Sequence, residues 1–176
     1  MSLIIRALKE AAGALKRRNR IAAVDDITSL TASNPALAGL AARAAAGRSL
    51  LEPFYRTYVE RVSSPVWAIS LETAAVLHAL CAILRPAAIL DLGSGFSSAT
   101  FRIYSRSAGH GCLIHSVDDD PVWLSRTQEF LESAGLSTDG LLAWSQFRAT
   151  VSLRYDLVFH DLGNMSLRAD SLDFVL

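Results

Sequence analysis

The stretch from Ala87 to Ser98 constrains this chain more than any other. Ala87-Ala88-Ile89-Leu90-Asp91-Leu92 runs directly into Gly93-Ser94-Gly95-Phe96-Ser97-Ser98. A continuous run of Ile, Leu and Ala is the signature of a strand buried on both faces, and such strands belong to parallel sheets. Two glycines separated by one small residue let the chain bend sharply at the strand's carboxyl end and let a ligand lie against bare backbone. Asp91 stands close to that end. A carboxylate there suits a cationic or hydroxyl-bearing group and suits a pyrophosphate poorly.

The rest of the chain repeats the strand–helix theme. Cys112–Val117 reads as a second strand, Leu157–Phe159 as a short apolar one, and Leu141–Phe147 as a weaker one. Helices are expected at Ser98–Ser107, stopped by Gly109, and from Asp120-Pro121 to Gly135. Asp120 is the natural cap of the latter, with Pro121 at the first helical position, where a missing N–H costs nothing. Strands alternating with helices of this length imply parallel βαβ units and a doubly wound α/β sheet.

The first part of the chain is helical instead. Ile4, Leu8, Ala11 and Leu15 recur at helical spacing over residues 3–18. Residues 35–48 and Leu50–Val62 read as two further helices, broken after Val62 by Ser63-Ser64-Pro65. Ser70 is a plausible cap for a helix from Leu71 to about Leu84, which Pro86 prevents from continuing. The expected organisation is an N-terminal helical region over 1–64 and a strand–helix unit over 65–176, packed as one compact body. A final helix is expected to begin within Ser166–Leu176.

Composition limits the function classes. The chain has 176 residues, is half apolar and carries no net formal charge, which argues against a surface built for unspecific nucleic-acid binding. Six of its cations lie within residues 1–20 against the single acid Glu10. The bland account is a solvated helix face; a membrane-surface or acidic-partner contact is the sharper one. Cys81 and Cys112 lack metal-ligand spacing and read as reduced thiols. No run is long enough to span a membrane and no signal peptide is evident, so a cytoplasmic protein is expected.

Ligands of doubly wound sheets bind outside the carboxyl ends of the strands. Here those ends are Asp91–Gly95, Asp118-Asp119-Asp120-Pro121 and Phe159-His160-Asp161. Asp118, at the end of the second strand, can accept hydrogen bonds from both hydroxyls of a ribose. Asp119 reads as solvent-facing or as a contact near an adenine. A dinucleotide fingerprint would want Gly or Ala where Ser98 stands, and Asp91 would repel the pyrophosphate. The pattern favours S-adenosylmethionine over NAD.

These motifs together resemble class I S-adenosylmethionine-dependent methyltransferases over roughly residues 65–165. The O-methyltransferase branch, with its catechol and caffeoyl-CoA enzymes, is the most similar in its lead-in helix and proline. The resemblance implies a Rossmann-like sheet of order 3-2-1-4. It implies that Asp91 contacts the methionine amino end, that Gly93 and Gly95 line the cofactor, and that Asp118 holds the ribose; Ser94, between the two glycines, is taken as a cofactor-binding candidate with them. Ser97 and Ser98 would donate to the methionine carboxylate, though helix capping accounts for them equally well. Ser145 and Gln146 become adenine-side candidates.

For the chemistry, His160 is a candidate general base, with a packing role as its alternative. Asp161 matches the position where the resembled enzymes place a divalent-metal ligand, with loop capping as its alternative; one carboxylate does not make a metal site. The expected activity is methyl transfer to an oxygen of a small molecule. The resembled family has seven strands, and this sequence stops before a fifth. The fourth strand is therefore expected at an open edge, where a second copy could pair. A non-catalytic protein that keeps the cofactor fold for binding or assembly is the alternative. His78, His110 and His115 read as structural; Trp67 reads as core or interface packing, with a roof over cofactor or substrate as its alternative, and Trp123 and Trp144 read likewise.

Overall fold

The computed structural model describes residue 31, residues 34–150 and residues 154–163. The basic segment 1–20 and the helix expected within Ser166–Leu176 lie outside the described residues.

A 3-10 turn at Pro35–Leu37 precedes helix α1, Leu40–Arg61. Helix α2 is Leu71–Leu84. The alternating part follows as β1 Ala88–Leu92, α3 Phe96–Ala108, β2 Leu113–Asp118, α4 Pro121–Ser133, β3 Leu141–Ala143, α5 Trp144–Thr150 and β4 Leu157–His160. The four strands are parallel in the order β3-β2-β1-β4. This is the Rossmann-like α/β arrangement expected of the sequence.

Local chemistry sets most boundaries. The Ser70 hydroxyl accepts from Thr73 N at 3.1 Å and starts α2. Asp120 Oδ1 accepts from Val122 N and Trp123 N at 2.8 and 3.3 Å, with Pro121 at the first position of α4. Gly109, at φ +68°, ends α3 in the left-handed conformation.

Two expectations need correction. The helices read at 35–48 and 50–62 are one helix, α1, with Pro53 inside it. Pro53 and Ser49 are both exposed, so the carbonyl that Pro53 leaves without a donor is open to water. The buried stripe Leu40, Ala44, Gly47, Leu51 and Tyr58 continues across the proline. The strand read at Leu141–Phe147 ends at Ala143, and α5 begins with Trp144. Gln146 Oε1 accepts from Ala143 N at 2.9 Å, the returning half of a capping box.

Parallel register sorts the strand side chains onto two faces. Asp91 pairs with Ser116 and Phe159, so these three share a face with Ile89, Ile114, Leu157 and Asp118. That face packs under α1 to α4 in a core containing Leu51, Tyr58, Phe96, Phe101 and Phe130. Leu90, Leu92 and Val117 look the other way, against Phe147 of α5 and Leu162.

Arg102 of α3 is buried on the first face. Its guanidinium donates to Ser98 O at 3.1 Å, Ser116 Oγ at 2.9 Å, Ser137 O at 2.7 Å and Asp139 O at 2.8 Å. One side chain thus joins α3, β2 and the segment leading to β3.

Candidate functional site

The carboxyl ends of β1, β2 and β4 converge as expected. Gly93 N donates to Val117 O at 2.8 Å, and Asp161 N donates to Leu92 O at 2.6 Å. Gly93 has φ +101°, and a Cβ there would lie 2.6 Å from Asp161 C and 2.8 Å from Leu162 N. Only glycine fits that conformation beside that backbone. The space beside the Gly93 Cα is therefore filled by the chain leaving β4, not left for a ligand. Gly95 is less confined: a Cβ there would lie 3.2 Å from the Tyr58 hydroxyl and 3.8 Å from Trp123 Nε1, both side-chain ends. At Gly93 the bare backbone thus faces the chain itself, whereas at Gly95 it faces only the tips of two side chains.

Asp118 ends β2 and turns toward the glycine bend. Its Oδ2 accepts from both Ser94 N and Ser94 Oγ at 2.7 Å, and its Oδ1 from Asp120 N at 3.0 Å. Burial pushes the Asp118 carboxyl above its ordinary value, and the bonds from Asp120 and Ser94 pull it back. Three of roughly four accepting positions are occupied. Asp119 is exposed; a Cβ on Gly163 would lie 2.8 Å from its Oδ1, so the segments after β2 and β4 meet there. Asp120 is the α4 cap.

Asp91 is fully buried beneath the bend. Its Oδ2 accepts from Ser98 Oγ at 2.6 Å, while Oδ1 has no hydrogen-bond partner among the described residues. Desolvation raises its carboxyl to about 6, against the lowering effect of the Ser98, Ser97 and Ser116 hydroxyls and of Arg102. Ser98 also accepts from Gly95 N at 3.1 Å, and Ser97 Oγ donates to Gly93 O at 3.4 Å. Both serines therefore brace the bend and the start of α3, the capping account of them.

Two residues at this site escape sequence reasoning. Trp123 Nε1 donates to Ser94 O at 2.8 Å, a bond to the bend that no sequence pattern announces. Tyr58 sits on α1, and its spacing from Leu51 marks it as core. Helical periodicity says nothing of where its hydroxyl points. Trp67 is 80% exposed beside a 78% exposed Val66, while the adjoining Ala68 and Ile69 are buried.

The acceptor-side candidates separate. His160 pairs with Leu92, which turns it to the face opposite Asp91 and Asp118, and it is buried there. Asp161 is half-buried, with its backbone against Gly93. Ser145 and Gln146 are exposed in the first turn of α5, and Gln146 is used as a cap. His115 Nδ1 and the Tyr155 hydroxyl lie 2.7 Å apart on the α5 side of the sheet. Among the described residues no cluster of three His, Cys, Asp or Glu is arranged to hold a metal ion, and no helix is long and apolar enough to cross a membrane.

Over 88 residues the chain is 31% identical to the ribosomal RNA small subunit methyltransferase H 2 of Acholeplasma laidlawii. This chain is similar to a methyltransferase. The match covers 48% of this chain and 25% of the relative, so the chain spans about a quarter of that protein. No family model and no solved structure matches. With the β3-β2-β1-β4 parallel sheet, the similarity supports the class I methyltransferase family at its coarse level. It does not extend to the O-methyltransferase branch.

The buried polar atoms fit the cofactor of that class. Asp91 Oδ1 is an acceptor without a donor, which suits an ammonium group. Asp118 Oδ1 accepts one bond, and a carboxylate oxygen has a second lone pair, which suits a ribose hydroxyl.

Proposed function

We propose that this chain binds S-adenosylmethionine at the carboxyl ends of β1 and β2 and takes part in methyl transfer. The observation carrying this reading is the placement of Asp91 and Asp118 on one face of adjacent strands, either side of the Gly93–Gly95 bend. Asp118 accepts from the ribose, and Asp91 receives the ammonium of the aminoacyl end. Ser94 and Gly95 form the backbone between them, Ser97 and Ser98 hold that backbone in place, and Asp119 borders the adenosine side.

When bound, the sulfonium supplies an electrophilic methyl group and its own leaving group. The protein's part is to orient an acceptor and, for a hydroxyl, to take its proton. Asp161 stands at the correct strand end for that step. His160 is not carried into the reading, because register turns it to the other face of the sheet.

The sequence motifs favour an oxygen of a small molecule as acceptor, in a cytoplasmic setting. The similarity to a ribosomal RNA methyltransferase favours a second reading, in which the acceptor is RNA. Titration calorimetry with S-adenosylmethionine and S-adenosylhomocysteine tests the shared part. Saturable binding is expected, and no heat at millimolar ligand would overturn the proposal. Transfer of a labelled methyl group, offered catechols in one arm and small-subunit RNA in the other, separates the two acceptors.

A further inference from the structure

We propose that Arg102 and Ser116 are positioning residues of the candidate site, the guanidinium aiming the Ser116 hydroxyl at Asp91 so that this carboxylate stays ionised to receive the ligand's ammonium group. The inference rests on the reading of Asp91 given above and extends it to two residues that touch no ligand.

Asp91 is 0% and Arg102 4% exposed, under the same face of the sheet. A buried carboxylate and a buried cation each need compensation, yet these two do not bond to one another. All four acceptors of Arg102 are uncharged oxygens. The two charges are joined at one remove instead. Arg102 Nη1 donates both to Ser98 O at 3.1 Å and to Ser116 Oγ at 2.9 Å. Ser98 Oγ in turn donates to Asp91 Oδ2 at 2.6 Å. Ser116 is the register partner of Asp91 on the adjoining strand, on the same face. One nitrogen thus holds both serines beside the carboxylate.

The direction of the Ser116 hydroxyl follows. A hydroxyl has one proton and two lone pairs. Arg102 donates into the oxygen, so the proton turns away from the guanidinium and toward Asp91. The Ser116 hydroxyl is accordingly among the groups that lower the Asp91 carboxyl, and Arg102 lowers it through its charge, both against burial. Of the other ionisable groups nearby, Asp118 lies two positions beyond Ser116 on β2. Tyr58 of α1 is held protonated by burial and by both aspartates, with Arg126 of α4 acting on it in the opposite sense. Asp139 supports the charge of Arg102. Among the described residues Arg102 is the cation that acts on Asp91.

The separation itself has a use. An arginine fork placed directly on the carboxylate would occupy both of its oxygens. Held apart by two serines, Asp91 keeps the compensating charge, and its Oδ1 has no hydrogen-bond partner among the described residues. The acceptor that an ammonium needs is preserved.

Ser116→Ala removes the relay and leaves Arg102 its three carbonyl acceptors. Infrared titration of the ligand-free chain follows the protonated-carboxyl band of Asp91, identified by its loss in Asp91→Asn. The midpoint, about pH 6 in the wild type, should move to about pH 7 in Ser116→Ala and stay in place in Ser116→Thr, which keeps the hydroxyl. Calorimetry reads the consequence. Ser116→Ala should bind S-adenosylhomocysteine about eightfold more weakly at pH 5.5 and less than about twofold more weakly at pH 7.5. Binding of 5′-methylthioadenosine, which lacks the aminoacyl end, should be unchanged at both. An unmoved band, or equal weakening at both pH values, would overturn the role given to Arg102 and Ser116 while leaving the cofactor reading standing. A moved band in a protein whose wild type binds neither probe would overturn the cofactor reading and, with it, the function given to the relay.

Discussion

Asp118 and Ser94 are joined twice, Oδ2 of the aspartate accepting from both the backbone N–H and the hydroxyl of the serine at 2.7 Å. The end of β2 is thereby fastened to the bend that follows β1. The Ser94 hydroxyl also lies 3.2 Å from Thr127 Oγ1 of α4, so three elements meet at one buried oxygen. Ser94→Ala should cost about 2 kcal/mol, the usual range for a buried bond to a charged acceptor. Urea denaturation at neutral pH checks this. A loss below about 0.5 kcal/mol would mean that the backbone N–H alone holds Asp118.

Gly93 and Gly109 both have positive φ, yet they should respond differently to alanine. Gly109→Ala meets nothing within 4 Å and incurs only the left-handed backbone cost, about 1 kcal/mol. Gly93→Ala also drives a methyl group into the backbone of Asp161 and Leu162, at a total of about 4 kcal/mol. Paired denaturation curves for the two variants test the contrast, and equal losses would contradict the packing of β4 against the bend.

The Asp91 carboxyl, raised by burial to about 6, binds its proton more tightly folded than unfolded, where its value is near 4. The sign follows from linkage. This group's contribution favours the fold fully below about pH 4 and is lost as pH rises through about 6. Asp91→Asn removes that dependence. The variant should be more stable than wild type at pH 7.5, by on the order of 1–3 kcal/mol, and the gap should narrow at pH 4.5. If the cofactor reading holds, the same variant binds S-adenosylmethionine more weakly, a trade of function for stability. A gap that widens toward acid would refute the assignment.

Arg102 uses three nitrogens on four acceptors. Lysine cannot reproduce that fork. Arg102→Lys should therefore lose about 2–4 kcal/mol despite keeping the charge, measured again by denaturation. A loss within about 0.5 kcal/mol would show that the guanidinium bonds contribute little.

Much of this architecture was legible because its signals are local. Ser70, Asp120 with Pro121, and Gly109 act on backbone within a few residues, so a sequence reader sees cause and effect together. The apolar runs of β1, β2 and β4 carry their own evidence of burial. The failures are of another kind. Pro53 looks like a helix breaker, and only the packing of Leu51 and Tyr58 beneath it explains why the helix continues. The strand read at Leu141–Phe147 was cut short by a glutamine acting on the residue three before it. At the candidate site, acids and glycines announce themselves by type and position. Tyr58 does not, since it lies 37 positions before Gly95 and reaches it through tertiary packing. For His160 the motif gives the strand end, while the side of the sheet it faces depends on register.

The grip of Arg102 on Ser137 and Asp139 bears on the order in which the molecule assembles. The arginine belongs to the crossover between the first two strands, and it needs Ser116 of the second already beside the first. Only then is there a fixed fork to capture the carbonyls leading to β3. Docking of the outermost strand on that side is thus conditional on a completed first βαβ unit, which makes that unit the natural nucleus and β3 a latecomer.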